Sequence, residues 1–206
     1  MRFHNNITDT TIREENETYN KIWIKKNSLD FFDSVSLNEF KTKSPSRTDS
    51  SPMMVVWLKN IDRLIDLKPK SYNLKNFSLI DIGCGTGIST LYLREKYIFK
   101  SYLGIDFEKS FIKKARFNSK RMSFDDVHYI ESDAAKLFLD NTQNFLFLFN
   151  PFGLRTMGKF LDNNLRNLKE NNSIIGYVND LHIDYFENFD AKIIRNNYYN
   201  ISLILF

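Results

Sequence analysis

Leu79-Ile80-Asp81-Ile82-Gly83-Cys84-Gly85-Thr86-Gly87-Ile88-Ser89-Thr90 is the stretch on which the fold turns. A strand-like apolar run from Phe77 to Ile82 breaks into three glycines at alternate positions, and an amphipathic helical pattern starts at Ile88. Glycines at 83, 85 and 87 let a backbone pass close to a ligand, and the turn delivers that ligand to a helix N-terminus. Spacing excludes two familiar readings. A dinucleotide fingerprint would place its third glycine at position 88, which is Ile, and a phosphate-binding P-loop would continue Gly-Lys-Ser/Thr. Asp81, two places before the first glycine, would repel a pyrophosphate and could accept hydrogen bonds from an ammonium group. The ligand is therefore expected to be cationic at this end.

Downstream, strand and helix patterns alternate, as they do in a parallel sheet covered on both faces. Tyr102 to Asp106 reads as a second strand ending in an acidic residue, Val127 to Asp133 as a third, and Phe145 to Asn150 as a fourth. Helices are expected from about Lys109 to Met122 and after Gly153. Further strands are expected at Ser173 to Val178, Ala191 to Ile194 and Asn200 to Phe206. In such a sheet ligands bind at the carboxyl ends of the strands, so Asp81 to Gly87, Asp106, Asp133 and Asn150 should converge. Asp106 also lies near the ~20-residue interval at which an acidic group meets a ribose diol in related folds.

Upstream the pattern is weaker. Residues 1–27 are polar, anchored by Ile12, Tyr19, Ile22, Trp23 and Ile24, and are expected to form a frayed lead-in with one helix. Asn27 to Val35 offers a capping residue followed by an apolar face, a short helix. The serine- and proline-rich run from Lys41 to Pro52 is a loop, either a plain linker or a lid carrying Arg47, Thr48 and Asp49 toward a substrate. Ser51 and Pro52 then open a helix to about Leu67. Residues 1–50 are accordingly read as an N-terminal extension and residues 51–206 as the domain.

The run from Asp81 to Gly87 resembles the first motif of class I S-adenosylmethionine (SAM)-dependent methyltransferases, and the motifs at Asp106, Asp133 and Asn150 follow in that family's order. The resemblance covers Phe77 to the C-terminus. It implies an α/β, Rossmann-like fold: a seven-stranded, mostly parallel sheet with helices on both faces, its last strand antiparallel between the fifth and sixth. The helical extension lies outside it. The resemblance implies SAM as cofactor, held by Asp81, Gly83, Cys84, Gly85, Thr86 and Gly87, by Asp106 at the ribose hydroxyls, and by Phe107 on the adenine face. Asp133 with Ser132 and Ala134 would meet the adenine edge, and Asn150 would close the site.

Asn150-Pro151-Phe152-Gly153 resembles the Asn/Asp-Pro-Pro-aromatic motif of methyltransferases acting on amino groups, with Phe152 in the second proline's place and Gly153 in the aromatic's. An Asn-Pro-Phe-Gly form also resembles that of small bacterial SAM-dependent methyltransferases. The resemblance implies Asn150, Pro151 and Phe152 as catalytic residues that position an amino nitrogen. An oxygen acceptor on a small molecule or glycan is the alternative, and it would need a general base, for which His182, Asp180, His128 and His4 are the candidates. A noncatalytic SAM- or RNA-binding protein is the third reading, drawing on the six basic residues between 109 and 121.

Composition sets the outer limits. A chain of 206 residues suits one domain with a substantial core, and 42% hydrophobic with 26% charged residues is a soluble composition. No stretch approaches about 18 apolar residues and the polar start lacks a signal peptide's apolar centre, so a cytoplasmic protein is expected. One cysteine allows neither an intrachain disulfide nor a cysteine-based metal cluster, and no metal site is expected. A net charge of +4 permits nucleic-acid binding without arguing for it. The acceptor and the oligomeric state are not written in the sequence.

Overall fold

A computed structural model describes residues 9–31 and 34–206. His4 lies outside the described residues. The chain opens on α1, Thr10–Lys26, capped by the Asp9 carboxylate on the Thr11 amide at 2.9 Å. The short helix expected over Asn27 to Val35 does not form among the described residues of that stretch, which leave out Phe32 and Asp33. Asn27 closes α1, its side chain donating back to the Trp23 carbonyl at 3.0 Å, and Ser28 turns the chain at φ +53°. Ser34–Val35 then forms β1, antiparallel to β2, Met53–Met54.

A second expectation also gives way. Ser51 and Pro52 do not open a helix; they lead into β2, and α2 spans Leu58–Asp66. The Ser51 amide is already committed to the Pro151 carbonyl at 3.0 Å. The first free amide of α2, that of Leu58, is met at 2.9 Å by Asn20 of α1. The cap of this helix comes from another helix, so the local pattern could not reveal it.

From β3, Ser78–Ile82, the alternation proceeds as the sequence leads one to expect. It runs through α3 (Ile88–Lys96), β4 (Ser101–Asp106), α4 (Lys109–Arg121), β5 (Val127–Glu131), β6 (Asn144–Phe149) and α5 (Leu154–Glu170), then β7 (Ile174–Val178), β8 (Lys192–Asn196) and β9 (Ile201–Leu205). The seven strands lie in the order β5-β4-β3-β6-β7-β9-β8. All neighbours are parallel except β9, which runs antiparallel between β7 and β8.

Two apolar layers hold the sheet. Phe145 and Phe147 of β6 face the layer of α1, α2 and α3, with Trp23, Leu64 and Leu91. Leu146 and Leu148 face α5, with Met157, Phe160 and Leu168. That split is the two-residue period of a strand buried on both sides. Half of the basic residues on α4 serve the chain itself: Lys114 pairs with Asp30 at 2.8 Å, Arg116 bonds the Tyr129 carbonyl, and Arg121 bonds the Ser28 carbonyl. No helix among the described residues is long and apolar enough to cross a membrane.

Candidate active site

Three strand ends meet where β4, β3 and β6 lie side by side. The β3 ladder runs one step past Ile82, as the Gly83 and Cys84 amides both donate to the Ile105 carbonyl, at 2.8 and 3.0 Å. Gly83 then turns at φ +78°, and a Cβ there would stand 2.5 Å from that of Pro151. Gly87, at φ +83°, starts α3. Only glycine satisfies both demands at position 83, a left-handed backbone and no room for a side chain.

Asp106 ends β4 beside this turn. Its two oxygens accept the Gly85 amide at 3.0 Å and the Glu108 amide at 2.8 Å. Burial pushes its carboxyl up to about 6 against the pull of those two amides, and the Asp81 and Glu108 charges add to the rise. Asp81 is buried and does not reach the cavity: one of its oxygens accepts the hydroxyls of Ser89 and Thr90, both at 2.6 Å. It anchors the first turn of α3 to the strand. Burial likewise pushes its carboxyl up to about 6. Cys84 is buried, and burial with the Asp81 and Asp106 charges keeps its thiol well above the usual range, so it is a wall residue and not a nucleophile.

Asp133 follows β5. Burial would raise its carboxyl, but bonds from the Ser44 and Ser46 hydroxyls and the Ala135 and Ser46 amides outweigh it and hold the group below the ordinary carboxylate range. Asn150, at φ +40°, ends β6; its Oδ1 accepts the hydroxyl of fully buried Tyr177 at 3.0 Å. Phe152 is buried against the α5 layer.

A cavity enclosing about 870 Å³, part of it open to solvent, brings most of these groups together. Gly83, Cys84, Gly85, Thr86, Asp106, Phe107, Ser132, Ala134, Asn150, Pro151 and Phe152 line it. Asp81, Gly87 and Asp133 do not. Nor do the base candidates: Asp180 is tied to Arg195 at 2.8 Å and to the Ser202 hydroxyl, His182 lies beyond the end of β7, and His128 is exposed on β5.

The fourth wall comes from the chain ahead of α2. Phe40, Ser46 and the run from Ser50 to Val56 line the cavity, and Phe40 packs edge-on to Phe107 at 5.7 Å and to Phe111 at 5.4 Å. Of the loop residues expected to face a substrate, Arg47 bonds the Leu37 carbonyl, Thr48 accepts from Arg155, and Asp49 meets the start of α5. The loop is a cover on the pocket, but those three side chains brace it from outside.

A family profile described as a methyltransferase domain matches residues 73–197. The chain belongs to this methyltransferase family. Among solved structures it is similar to a SAM-dependent methyltransferase from Aquifex aeolicus, at 17% identity and TM-score 0.54, covering 79% of this chain and 93% of that one. It is also similar to the tRNA (uracil-54, C5)-methyltransferase of Pyrococcus abyssi in complex with S-adenosyl-L-homocysteine (SAH), at 13% identity and TM-score 0.50. That match covers 72% of this chain and only 36% of the Pyrococcus chain. An RNA methyltransferase from Salinibacter ruber with SAH aligns at 16% identity and TM-score 0.47, over 72% of this chain and 89% of that chain. At these identities the likeness is one of fold. No curated protein sequence matches the methyltransferase significantly.

Proposed function

We propose that this methyltransferase transfers the methyl group of SAM to an acceptor amino nitrogen held at the turn from Asn150 to Phe152. The observation that carries the reading is the convergence of the glycine turn, Asp106 and Asn150 on one cavity at the carboxyl edge of β4, β3 and β6. The lining suits the donor: a carboxylate for a ribose diol at Asp106, an aromatic flank at Phe107, and a glycine turn that leaves no side chain in the way. SAM supplies a methyl group already activated on a sulfonium, so the protein's task is alignment.

The chain's own groups divide that task. Asp106 accepts from the ribose hydroxyls with the lone pairs its two backbone partners leave free. Asn150 and the Pro151 carbonyl orient the acceptor nitrogen, while Phe152 and Ala134 keep water out of the floor. Asp81 acts from behind, fixing α3 under the glycine turn.

Nitrogen is favoured over oxygen because Cys84 and Asp106 are the only titratable side chains among the described residues that line the cavity. The thiol stays protonated, and Asp106 stands two strands from Asn150, roughly 10 Å away at the usual strand spacing. A neutral amine needs no base before attack, whereas a hydroxyl does.

Two substitutions test the division. Asn150→Ala should abolish transfer of labelled methyl from SAM to the metabolite, RNA or protein fraction that takes it up, and leave SAH affinity nearly unchanged. Asp106→Ala should weaken SAH binding about ten- to hundredfold, the worth of a charged hydrogen bond of roughly 1.5–3 kcal/mol. Transfer that survives loss of the Asn150 amide would overturn the acceptor site, and an unchanged calorimetric affinity in the Asp106 variant would overturn the ribose contact.

A further inference from the structure

Residues 44–56 cover, from one segment, Asp133, the turn at Pro151 and Phe152, and the glycine turn. At Asp133 the occupation is complete. The Ser44 hydroxyl and the Ser46 amide go to one oxygen, and the Ser46 hydroxyl and the Ala135 amide go to the other. A carboxylate has about four lone-pair sites. All are filled, three of them by this segment, and no site is left for an adenine amine. At the acceptor turn, the Ser51 amide donates to the Pro151 carbonyl at 3.0 Å and Ser50 bridges Phe152. Over the glycine turn, the Met53 side chain sits where a Cβ on Gly85 would lie 3.2 Å from its Cγ, inside the space the glycine keeps clear.

We propose that residues 44–56 are a gate, and that it is shut by the same acceptors the donor and the methyl acceptor need. The proposal rests on the reading of Asp133 and Pro151 as ligand-facing groups of the SAM and acceptor sites. Opening exchanges the Ser44 and Ser46 hydroxyls at Asp133 for the nucleoside's own donors, withdraws Met53 from the turn and frees the Pro151 carbonyl. The ends of the segment have fixed points to swing from: the Lys41 and Thr42 amides just before it are held by Glu108, and the Leu58 amide just beyond it is held by Asn20. Because the closed form competes with the ligand, the apparent affinity is the intrinsic affinity reduced by the fraction of open molecules.

That competition gives a test with a definite sign, using the full chain and SAH as the probe. In isothermal calorimetry the double variant Ser44→Ala/Ser46→Ala should bind SAH more tightly than wild type, by about fivefold or more, since weakening the closed form raises the open fraction. Met53→Ala, which leaves Asp133 untouched, should shift affinity in the same direction. In stopped-flow mixing followed by tryptophan fluorescence, the wild-type association rate should level off at high SAH concentration, and the double variant should raise that plateau. Equal or weaker SAH binding in both folded variants, with a rate linear in SAH, would overturn the gate while leaving the donor site standing. Absence of SAH binding in wild type and both variants would remove the donor reading itself, and the gate with it.

Discussion

Asp81 and Asp106 stand on neighbouring strands, and each carboxyl is pushed up to about 6, but for different uses. Asp106 has an open side toward the cavity; Asp81 has none, so burying its charge costs the folded state stability. A carboxyl at about 6 when folded, against about 3.9 when unfolded, binds its proton more tightly in the native state. The native state is therefore favoured as pH falls from about 6 to about 4, and the ionised group costs up to about 3 kcal/mol above that window. Asn at position 81 keeps an acceptor for Ser89 and Thr90 without the charge. Urea denaturation should find Asp81→Asn more stable than wild type at pH 8, with the gap closing by pH 4. A gap of constant size across that range would contradict the charge argument. Asp106 and Asn150 can be placed at the rim of the sheet from the sequence because each stands at the close of an apolar strand run. Their partners cannot be. Tyr177 reads as one more apolar strand residue until its hydroxyl is found on Asn150, and Phe40 lies in a stretch with no period at all.

Helix starts divide in the same way between local and distant cause. Asp9 caps α1 from the adjoining position. The starts of α2 and α5 are capped from far along the chain, by Asn20 and by Asp49. At α5 the position before the helix is Gly153, which has no side chain to offer. The Asp49 carboxylate instead accepts the Thr156 amide at 2.7 Å, and the Asp49 carbonyl accepts the Gly153 amide at 2.7 Å. Starting α2 at Ser51 therefore misassigns a cap and does not misread an apolar face, since Leu58, Ile61, Leu64 and Ile65 are buried as their spacing suggests. The order of β8 and β9 is a third such case: apolar content marks both as strands, and only the family resemblance suggests that β9 lies inside. Asp49→Ala should cost about 1 kcal/mol, the usual worth of a helix cap, read as a lower midpoint in thermal or urea unfolding. An unchanged midpoint would mean that the Asp49 carbonyl and solvent suffice.

At the scale of the molecule, the extension outside the family match is built into the same core as the sheet. Trp23, Ile24 and Leu29 join the apolar layer that holds Leu79, Phe145 and Leu203. Trp23 meets Tyr92 of α3 edge-on at 5.3 Å and donates from its indole to Glu95 at 2.5 Å, while Asn20 clasps the Val56 carbonyl and the Leu58 amide. This coupling gives the segment from Ser44 to Val56 its footing, because α1 holds one end of it. Polar spacing makes the extension look separable; burial of its few apolar residues makes it a fourth side of the domain. Trp23→Ala should therefore lower stability by about 3–5 kcal/mol, the cost of deleting a buried aromatic. The loss should be global. The chain has two tryptophans, so the variant leaves Trp57 as its sole indole, buried at the base of the cover. Its fluorescence and the far-ultraviolet circular dichroism of the helices should then trace one coincident transition in urea, as expected of a single cooperative unit. A Trp57 transition at lower urea than that of the helices would show that the extension unfolds by itself, and that the sheet does not need it.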